Sequence, residues 1–554
     1  MRPVDAELLR LLARMPLLDR LEMVAVSGWS RGGVYRAVPR LEDAGLIASV
    51  PHGTDLIPPT RRFHLTADGL RRLAHAENVP LEALLRDLPV SARWRRVLLE
   101  RLDAVAVVYR LASAVSNASY PIRFRWYRAR PLDAIVILPG GGTVGIVRQG
   151  PTTDRTGFPK RLWRLTRGPQ PGCILLIAPD DVRLRHSRNR LPHTPATALF
   201  ALEREAVAVS PDDPVWRLRS INAAVSLRDA IDRLTSRGVI PNERPLERGL
   251  SLPPDVDEHE PGGDVPDYML PALVRPAEKR ALDLLCDWPW LGLPELAGLL
   301  GVSRPRASKL IAALEGFGLV GRAPASGRRL ALTDVGLAML ARRDRTAVGG
   351  AKKRWSAAPE DAGDWRSVSG RRSRQLLRDI EHTTAVHEFI AALATQARDL
   401  GWGIDQIDPP IRASRYFRHF GGRRSIHPDA FGILRRGDDP WPFFLEWERR
   451  AVRPITMAER LAPYLRYYSS HQPIDDHGAR PAVLVVFHED LAATHFLRVA
   501  LEEMVRTRTP LPLLVSHRGL VEREGPLGRA WLAPGGGFEP ARPLNQNPNG
   551  EPRP

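Results

Sequence analysis

The sequence has few cysteines and no long apolar run, and both absences narrow the class of protein. Its two cysteines, Cys173 and Cys286, lie far apart in predicted apolar elements. They provide neither a disulfide framework nor a zinc site, which is typical of a reducing cytoplasm. No stretch reaches the roughly 18 consecutive apolar residues that indicate a transmembrane helix. We therefore expect a cytoplasmic protein with no membrane partner.

Lysine is also scarce, so arginine supplies most of the positive charge. Lysine occurs only at positions 160, 279, 309, 352 and 353, although lysine and arginine together number 81 against 63 acidic residues. The formal net charge is +18. A GC-rich genome would favour arginine codons, but such an excess also needs an anionic partner. Because arginine suits bidentate contacts to phosphate and guanine, the expected partner is double-stranded DNA.

Two catalytic classes lack their motifs. The glycine runs at 140–142 and 535–537 are not followed by the lysine of a phosphate-binding loop. The sequence also has no His-x-His cluster of the relaxase type, and Tyr464, Tyr467 and Tyr468 are expected to pack on a helix. Neither a P-loop ATPase nor a rolling-circle nickase is therefore expected.

The sequence does contain a pattern of three helices followed by a β-hairpin. Near the N-terminus, Gly28 predicts a turn, Ser30 an N-cap and Gly45 a C-cap. Residues 46–50 and 61–66 then have the composition of two strands. This order of elements predicts a winged helix-turn-helix.

The same pattern returns later in the chain. Residues 16–47 and 289–320 align without a gap, at an offset of 273 from Pro16 to Pro289. The identical pairs are Pro16/Pro289, Glu22/Glu295, Gly28/Gly301, Ser30/Ser303, Arg31/Arg304, Leu41/Leu314, Glu42/Glu315, Gly45/Gly318 and Leu46/Leu319. Three pairs of segments beyond the winged helices are also similar in sequence: 131–138 with 427–434, 143–147 with 443–447, and 172–181 with 481–490. These matches predict a repeat in which each winged helix precedes an α/β domain.

Each predicted recognition helix has basic residues on its open face. Such a helix fits the major groove of DNA, while residues of the wing contact phosphates. The candidate DNA-binding residues are Arg304, Arg306, Ser308, Lys309, Arg328 and Arg329 in the second copy, and Arg31, Tyr35, Arg36, Arg61 and Arg62 in the first. The first copy is the weaker candidate because Pro39 falls inside its helix. As an alternative, these units would make protein–protein contacts.

A separate pattern resembles the strand pair of a metal-dependent nuclease. Asp429 precedes one apolar run, and Glu446 and Glu448 end the next. Two adjacent strands can present an Asp and a Glu to one Mg²⁺, whose bound water becomes the nucleophile. The usual lysine two residues after the Glu is replaced by Glu448. We take Asp429, Glu446 and Glu448 as candidate catalytic residues, with Asp429 and Glu446 as ligands of Mg²⁺ only if the domain is catalytic.

The two copies differ at these carboxylates. Asp133 corresponds to Asp429, but residues 143–150 contain no acid, so only the second copy could be catalytic. Upstream, His382, His387 and Glu388 fall on one predicted helix. Glu388 could approach the sheet as a further ligand, although helix-surface and capping contacts are the more common role of such residues.

Taken together, these residues resemble the replication-relaxation family. The resemblance covers residues 277–534 and, as a diverged copy, 5–223. It rests on the winged helix and on His382, His387, Pro428-Asp429, the segment 445–449 and Arg466-Tyr467-Tyr468. It implies a role in plasmid replication or DNA relaxation, on plasmids and integrated mobile elements, and α/β domains similar to restriction endonucleases.

The predicted fold class is mixed α/β, as a tandem repeat of a winged helix-turn-helix and a restriction-endonuclease-like α/β domain. The predicted boundaries are a winged helix at 1–80, a degenerate nuclease-like domain at 90–235, a linker at 236–276, a winged helix at 277–345, a linker at 346–373, a nuclease-like domain at 374–534 and a disordered tail at 535–554.

The leading functional hypothesis is a DNA-binding protein of a plasmid or integrated mobile element, acting in replication, relaxation or its control. Plasmid replication or mobilisation proteins would be further partners, and a homodimer is one expected assembly. Two alternatives stay open. One is a Mg²⁺-dependent DNA nuclease or nickase, and the other is a transcriptional autoregulator whose α/β domains only dimerise.

Overall fold

The protein has a mixed α/β fold, as predicted. The structure is a computed structural model that describes residues 2–152, 157–191, 196–219, 223–234, 236–254, 265–323, 328–359, 364–448, 454–533 and 537–541. The chain forms two compact units. The first contains residues 1–283, 316–319 and 334–353, and the second contains 284–315, 320–333 and 354–554. No described helix is both long and apolar enough to cross a membrane.

The first half of the chain alternates helices with short strands. The helices are α1 (Pro3–Arg14), α2 (Arg20–Ser27), α3 (Arg31–Asp43), α4 (Ala67–Ala76), α5 (Leu81–Asp87), α6 (Ala92–Leu99), α7 (Leu102–Ala118), α8 (Gly157–Arg167), α9 (Asp181–Arg190), α10 (Glu203–Ala208), α11 (Leu227–Asp232) and α12 (Leu270–Leu273). The strands are β1 (Ile47–His52), β2 (Thr60–Leu65), β3 (Arg123–Trp126), β4 (Ala134–Ile137), β5 (Thr143–Arg148), β6 (Cys173–Ala178), β7 (Thr197–Leu202), β8 (Trp216–Leu218) and β9 (Ala224–Val225).

The second half is built in the same way. Its helices are α13 (Pro276–Asp287), α14 (Leu293–Leu300), α15 (Arg304–Gly316), α16 (Asp334–Arg343), α17 (Val348–Trp355), α18 (Arg371–Arg378), α19 (Ile380–Asp399), α20 (Pro410–Ala413), α21 (Pro454–Tyr468), α22 (Gln472–His477), α23 (Asp490–Thr507) and α24 (Arg518–Glu524). Its strands are β10 (Val320–Ala323), β11 (Arg329–Leu332), β12 (Gly403–Asp408), β13 (Arg415–His419), β14 (Gly422–Ile426), β15 (Ala430–Arg436), β16 (Asp439–Glu448), β17 (Ala482–Phe487), β18 (Leu513–His517), β19 (Trp531–Leu532) and β20 (Phe538–Glu539).

Three helices precede a two-stranded antiparallel ribbon at the N-terminus. Asp19 caps α2 in a reciprocal box with Glu22, and the Ser30 hydroxyl accepts the Gly33 N–H at the start of α3. Leu18 forms an isolated antiparallel bridge to Phe63, which joins the loop after α1 to the ribbon of β1 and β2. The elements of this segment thus follow in the order α1, α2, α3, β1, β2 and α4.

The segment from α13 to β11 has the same order of elements and the same unusual backbone positions. Three pairs of residues in the left-handed region are separated by 273 positions: Leu17 and Trp290, Gly28 and Gly301, and Gly45 and Gly318, with φ between 66° and 72°. An isolated bridge from Leu291 to Leu330 corresponds to the bridge from Leu18 to Phe63. The repeated sequence therefore adopts a repeated backbone conformation.

Each compact unit contains one seven-stranded sheet, and the two sheets have the same topology. The strand orders are β3-β4-β5-β6-β7-β8-β9 and β12-β15-β16-β17-β18-β19-β20. In both sheets, the two central pairings are parallel and the outer pairings are antiparallel. The parallel strands β6 and β17 are buried along their whole length, as expected for strands covered on both faces.

The pairing register corrects one alignment made from the sequence. Ala134 pairs with Ile146, and Ala430 pairs with Leu445. Val147 is thus the counterpart of Glu446, whereas aligning 143–147 with 443–447 places Ile146 there. A shift of one residue moves every side chain of a strand to the other face of the sheet, so this correction decides which residue stands at the carboxylate position.

Candidate nucleic-acid interface and carboxylate site

Helix α15 presents the basic face that the sequence predicts. Ala307, Ile311 and Leu314 are fully buried, which leaves the opposite face of the helix to solvent. The exposed residues on that side are Arg304, Arg306, Ser308 and Lys309. Within the described ranges, no ion pair involves these three basic side chains. Their charges are therefore available to an anionic ligand.

The arginines of the ribbon formed by β10 and β11 differ in their exposure to solvent. Arg328 is exposed in the turn, with φ of 66°, whereas Arg329 is partly buried and its Nη1 is enclosed without a hydrogen bond. The guanidinium of Arg322 is held by the carboxylate of Glu315. Of the two predicted ribbon residues, Arg328 is thus the better placed for an external contact.

In the first copy, α3 continues through Pro39 to Asp43 and exposes Arg31 and Arg36. Tyr35 is partly buried, with the guanidinium groups of Arg20 and Arg31 lying 5.5 and 5.2 Å from its ring centroid. The Arg36 Nε donates to the Gly32 carbonyl at 3.1 Å. Tyr35 therefore supports the arginines beside it rather than projecting freely.

The assignment of Arg62 to DNA binding is wrong. Strand alternation points Arg61 outward and Arg62 into the core, where Arg62 is completely buried. Its guanidinium donates to both carboxylate oxygens of Glu22, at 2.9 and 3.1 Å, and to the Leu17 carbonyl at 3.0 Å. Arg61 is exposed and bonded to Glu42 and Ser49. Only Arg61 remains a candidate in this strand.

Asp429 lies immediately before β15 and connects that strand to β16. Its Oδ2 accepts the Trp447 N–H at 2.8 Å, and its own N–H donates to the Leu445 carbonyl at 2.8 Å. Its Oδ1 lies 2.9 Å from Nε2 of His382 on α19. The carboxylate is thus fixed in position by two elements and keeps one side open to solvent.

The residues around His382 on α19 have other roles. His387 is buried edge-on against Trp288, with ring centroids 5.7 Å apart, and burial lowers its pKa to about 3. Glu388 is exposed and lies 3.9 Å from the guanidinium of Arg518. Of the three predicted residues, only His382 bonds the carboxylate of Asp429, so His387 is a core residue and Glu388 a surface residue.

Glu446 faces α21, and its carboxyl group is enclosed there. It accepts a hydrogen bond from the hydroxyl of Tyr464, while the next residue, Trp447, packs on the other face against Phe389 with ring centroids 6.0 Å apart. Burial and the nearby charge of Asp429 raise the pKa of Glu446 to about 8. Burial and the charge of Asp429 therefore both favour the neutral form of the Glu446 carboxyl group.

Glu448 occupies the position of the missing lysine, and an arginine accompanies it. The Glu448 carboxylate is ion-paired with Arg460, which also lies on α21. Arg449 and Arg450, which follow Glu448 in the sequence, lie outside the described residues. Because a guanidinium stays protonated in proteins, Arg460 can balance negative charge but cannot act as a general base.

As placed, the three carboxylates do not fit a Mg²⁺ centre. Each is bound by a protein group: Asp429 by His382, Glu446 by Tyr464 and Glu448 by Arg460. Among the described residues, no three His, Cys, Asp or Glu side chains lie close enough together to hold one metal ion. Mg²⁺ is held by carboxylate oxygens and several waters, whereas here those oxygens contact protein groups instead.

At the corresponding position of the first sheet, the aspartate and its hydrogen bond to a backbone N–H are present, but the two glutamates are not. Val147 and Gln149 stand where the second sheet has Glu446 and Glu448. Asp133 keeps the backbone bond to the Arg148 N–H at 2.7 Å, but two guanidinium groups, of Arg161 and Arg345, bind its carboxylate at 2.7 Å each. They hold the pKa of Asp133 well below its usual range. This aspartate forms ion pairs within the first unit.

Sequence reasoning did not identify the two residues of α21 that bind the glutamates. Tyr464 was expected only to pack, and Arg460 was not considered. Their spacing of four residues places both on one helical face, which was the available signal. The pairing was hard to predict because it depends on how α21 packs on the sheet, which helical spacing alone does not specify.

Comparison with known proteins gives one match. The family model described as Replication-relaxation matches residues 299–483, from the end of α14 through α15, α19 and the carboxylate strands to the start of β17. This part of the chain is thus similar to that family, which points to a role in replication or relaxation. No curated protein and no solved structure matches the chain.

Proposed function

We propose that this chain is a DNA-binding protein of the replication-relaxation family, from a plasmid or integrated mobile element. Two winged helix-turn-helix units would bind double-stranded DNA in the cytoplasm. The α/β domains would act as scaffolds that bind DNA or the proteins of replication and mobilisation, and the whole chain would act in replication, in relaxation or in their control. The family match covers only residues 299–483, so membership of the whole chain is part of this proposal.

The observation that carries the proposal is the uncompensated charge of α15. Arg304, Arg306 and Lys309 are exposed on one side of a helix whose other side is buried. A protein with a net charge of +18 and such a helix has the electrostatic requirements for binding in the major groove. The tandem arrangement is supported by the recurring left-handed positions and by the common topology of the two sheets.

The proposal predicts a steep salt dependence of duplex binding that depends on α15. Fluorescence anisotropy with a labelled duplex would give the affinity across a salt series. We expect the double variant Arg304→Ser/Arg306→Ser to bind at least about tenfold more weakly and to reduce the slope of log K against log salt by roughly one for each phosphate that is no longer neutralised. Arg506→Ser, which removes an exposed arginine paired with Glu503 on α23, is the control for net charge.

Equal reductions of affinity per positive charge removed, in the double variant and in Arg506→Ser, would contradict the role of α15. Footprinting on plasmid DNA separates this proposal from an autoregulator, because a single protected operator would indicate transcriptional control. Sedimentation of the protein without DNA would give its oligomeric state, for which we expect a homodimer.

A Mg²⁺-dependent nuclease or nickase is the second candidate. The observation that favours it is the proximity of Asp429, directly before β15, to Glu446 on the paired strand β16, where burial and the charge of Asp429 raise the pKa of Glu446. Cleavage would require Glu446 to ionise and leave Tyr464. The geometry therefore favours DNA binding over hydrolysis.

Incubation of supercoiled plasmid with the protein in Mg²⁺ or Mn²⁺ tests this second candidate. If the carboxylates are catalytic, nicked or linear plasmid should appear, and both Asp429→Ala and Glu446→Ala should abolish it. Glu459→Gln, an exposed acid on the same helix as Tyr464, is the matched control. We expect intact plasmid from all four proteins, together with DNA binding that survives the substitutions.

A further inference from the structure

A short antiparallel hairpin projects from the second unit directly before the carboxylate site. Strands β13 and β14 pair from Arg415–Ile426 to His419–Gly422, which leaves Phe420 and Gly421 as a two-residue turn. Both turn residues have positive φ, 45° and 74°, as a type I′ turn requires. The first position of such turns favours Asn, Asp or Gly. Phenylalanine is a poor choice there for folding.

Phe420 is also the most exposed large apolar residue described in the chain, with 97% of its surface accessible. Among the residues that the structure describes, its one ring contact is with the adjacent His419, at a centroid distance of 4.3 Å. Neither backbone preference nor burial therefore accounts for this side chain. An aromatic ring held at the end of a rigid turn is suited to contact a ligand.

The charge of the hairpin indicates what kind of ligand that is. Residues 409–428 contain five arginines and no acidic residue. Arg418 lies directly opposite Arg423 in the pairing register, and like charges at such positions destabilise a hairpin. Both are exposed, as is Arg424, and within the described part of the chain none of the three has an acidic partner. An anionic ligand would relieve this repulsion.

The hairpin is mounted rigidly on the sheet that carries the carboxylates. Phe417 is buried against Tyr467, with ring centroids 5.2 Å apart, and the buried guanidinium of Arg415 lies 4.5 Å from the ring centroid of Phe431. The Nη1 of Arg415 also donates to the Ala413 carbonyl at 2.7 Å. Only residues 427 and 428 separate the hairpin from Asp429.

The first sheet has no such element. Residues 127–133 connect β3 directly to β4, whereas residues 409–429 connect the corresponding strands β12 and β15 and contain the hairpin. The unit that has lost the glutamates thus lacks the hairpin, and the unit that retains them has it. Of the two sheets, the hairpin thus occurs only in the one that contains Glu446 and Glu448.

We propose that the hairpin 415–426 binds duplex DNA beside the carboxylate site, with Arg418, Arg423 and Arg424 on phosphates and Phe420 inserted between adjacent bases. This inference rests on the proposed DNA-binding function and adds a contact outside the winged helices. Apolar side chains inserted between base steps kink the duplex and unstack the bases, while arginines neutralise the flanking phosphates. An exposed aromatic between arginines has this combination of groups.

A duplex containing 2-aminopurine tests the insertion, because this base becomes more fluorescent when unstacked. We expect the full-length protein to raise the fluorescence on binding. Phe420→Ala should return it to the level of free duplex, with an affinity roughly tenfold weaker, as expected when one aromatic ring no longer stacks on a base. Phe538→Ala, which removes another exposed aromatic of the second unit, should behave as the unsubstituted protein.

The arginines are tested separately from the ring. Arg418→Ser/Arg423→Ser should reduce the salt slope by about two, one for each phosphate that these side chains neutralise. If the protein binds duplex but Phe420→Ala leaves the fluorescence rise intact, this inference fails while the proposed DNA binding stands. If the protein binds no duplex at low salt, both fail. Loss of binding to phosphatidylglycerol vesicles in the arginine variant, with DNA affinity unchanged, would assign the hairpin to a membrane instead.

Discussion

Glu446 illustrates how burial changes the chemistry of a single residue. Its carboxyl group accepts the Tyr464 hydroxyl and lies near the charge of Asp429, and its pKa rises from the usual 4.5 to about 8. A carboxylate there would meet both desolvation and repulsion, whereas the neutral acid meets neither. The same residue type at Glu448 remains paired with Arg460. The two glutamates of β16 therefore have different partners on α21, a tyrosine hydroxyl and a guanidinium group.

This protonation makes the second unit less stable as the pH rises. Because the pKa of Glu446 is higher in the folded state, its contribution to stability is complete below about pH 4.5 and is lost as pH rises through about 8. The free energy of unfolding should fall by up to about 1.4 kcal/mol per pH unit in this window. Glu446→Gln, which is neutral throughout, should remove this decline.

The measurement is urea unfolding at a series of pH values. The unfolded fraction is read at each urea concentration from the deuterium taken up by the amides of β16 in a short labelling pulse, which is always given at the same pH. Glu459→Gln, an exposed acid on α21, should retain the decline of the unsubstituted protein. A Glu446→Gln profile that still falls with pH would show that another group is responsible.

At the scale of single elements, local signals were sufficient for the backbone. Ser30 caps α3, and Gly28 and Gly45 take the left-handed conformation, as turn and cap chemistry predict. Side-chain direction was harder to predict because it depends on pairing. Arg61 and Arg62 are equally basic, but alternation in β2 exposes one and buries the other against Glu22. Without the register, the sequence could not distinguish them.

The candidate site was predicted in part for the same reason. Asp429 and Glu446 come together because Asp429 directly precedes β15 and Glu446 lies in the paired strand β16, and the apolar runs of the sequence predict both strands. Tyr464 and Arg460 reach the glutamates through the packing of α21, which no local pattern specifies. The hairpin 415–426 was not predicted because its strands have only five residues each and only β13 alternates between buried and exposed positions.

At the scale of the whole molecule, the two sheets have the same topology and an aspartate at the same position, but the two aspartates have different partners. Asp133 and Asp429 stand at the same register position, and each binds a backbone N–H of the adjacent strand. In the first unit, the guanidinium groups of Arg161 and Arg345 form ion pairs with Asp133. In the second, Asp429 faces a histidine and is partly exposed. The shared position is therefore an ion-pair centre in one unit and an accessible carboxylate in the other.

This difference predicts unequal costs for the same substitution. Asp133→Asn leaves two largely buried guanidinium groups without a carboxylate and should destabilise the first unit by about 3–5 kcal/mol. Asp429→Asn keeps an acceptor for the Trp447 N–H and should cost the second unit about 1 kcal/mol. Urea midpoints for each unit, measured by pulse labelling of β5 and β16, compare the two costs directly. Asp438→Asn, an exposed acid in the turn between β15 and β16, should change neither midpoint. Equal destabilisation of the two units would mean that Asp429 is as structural as Asp133, and the case for a functional site at the second sheet would then rest on Glu446 alone.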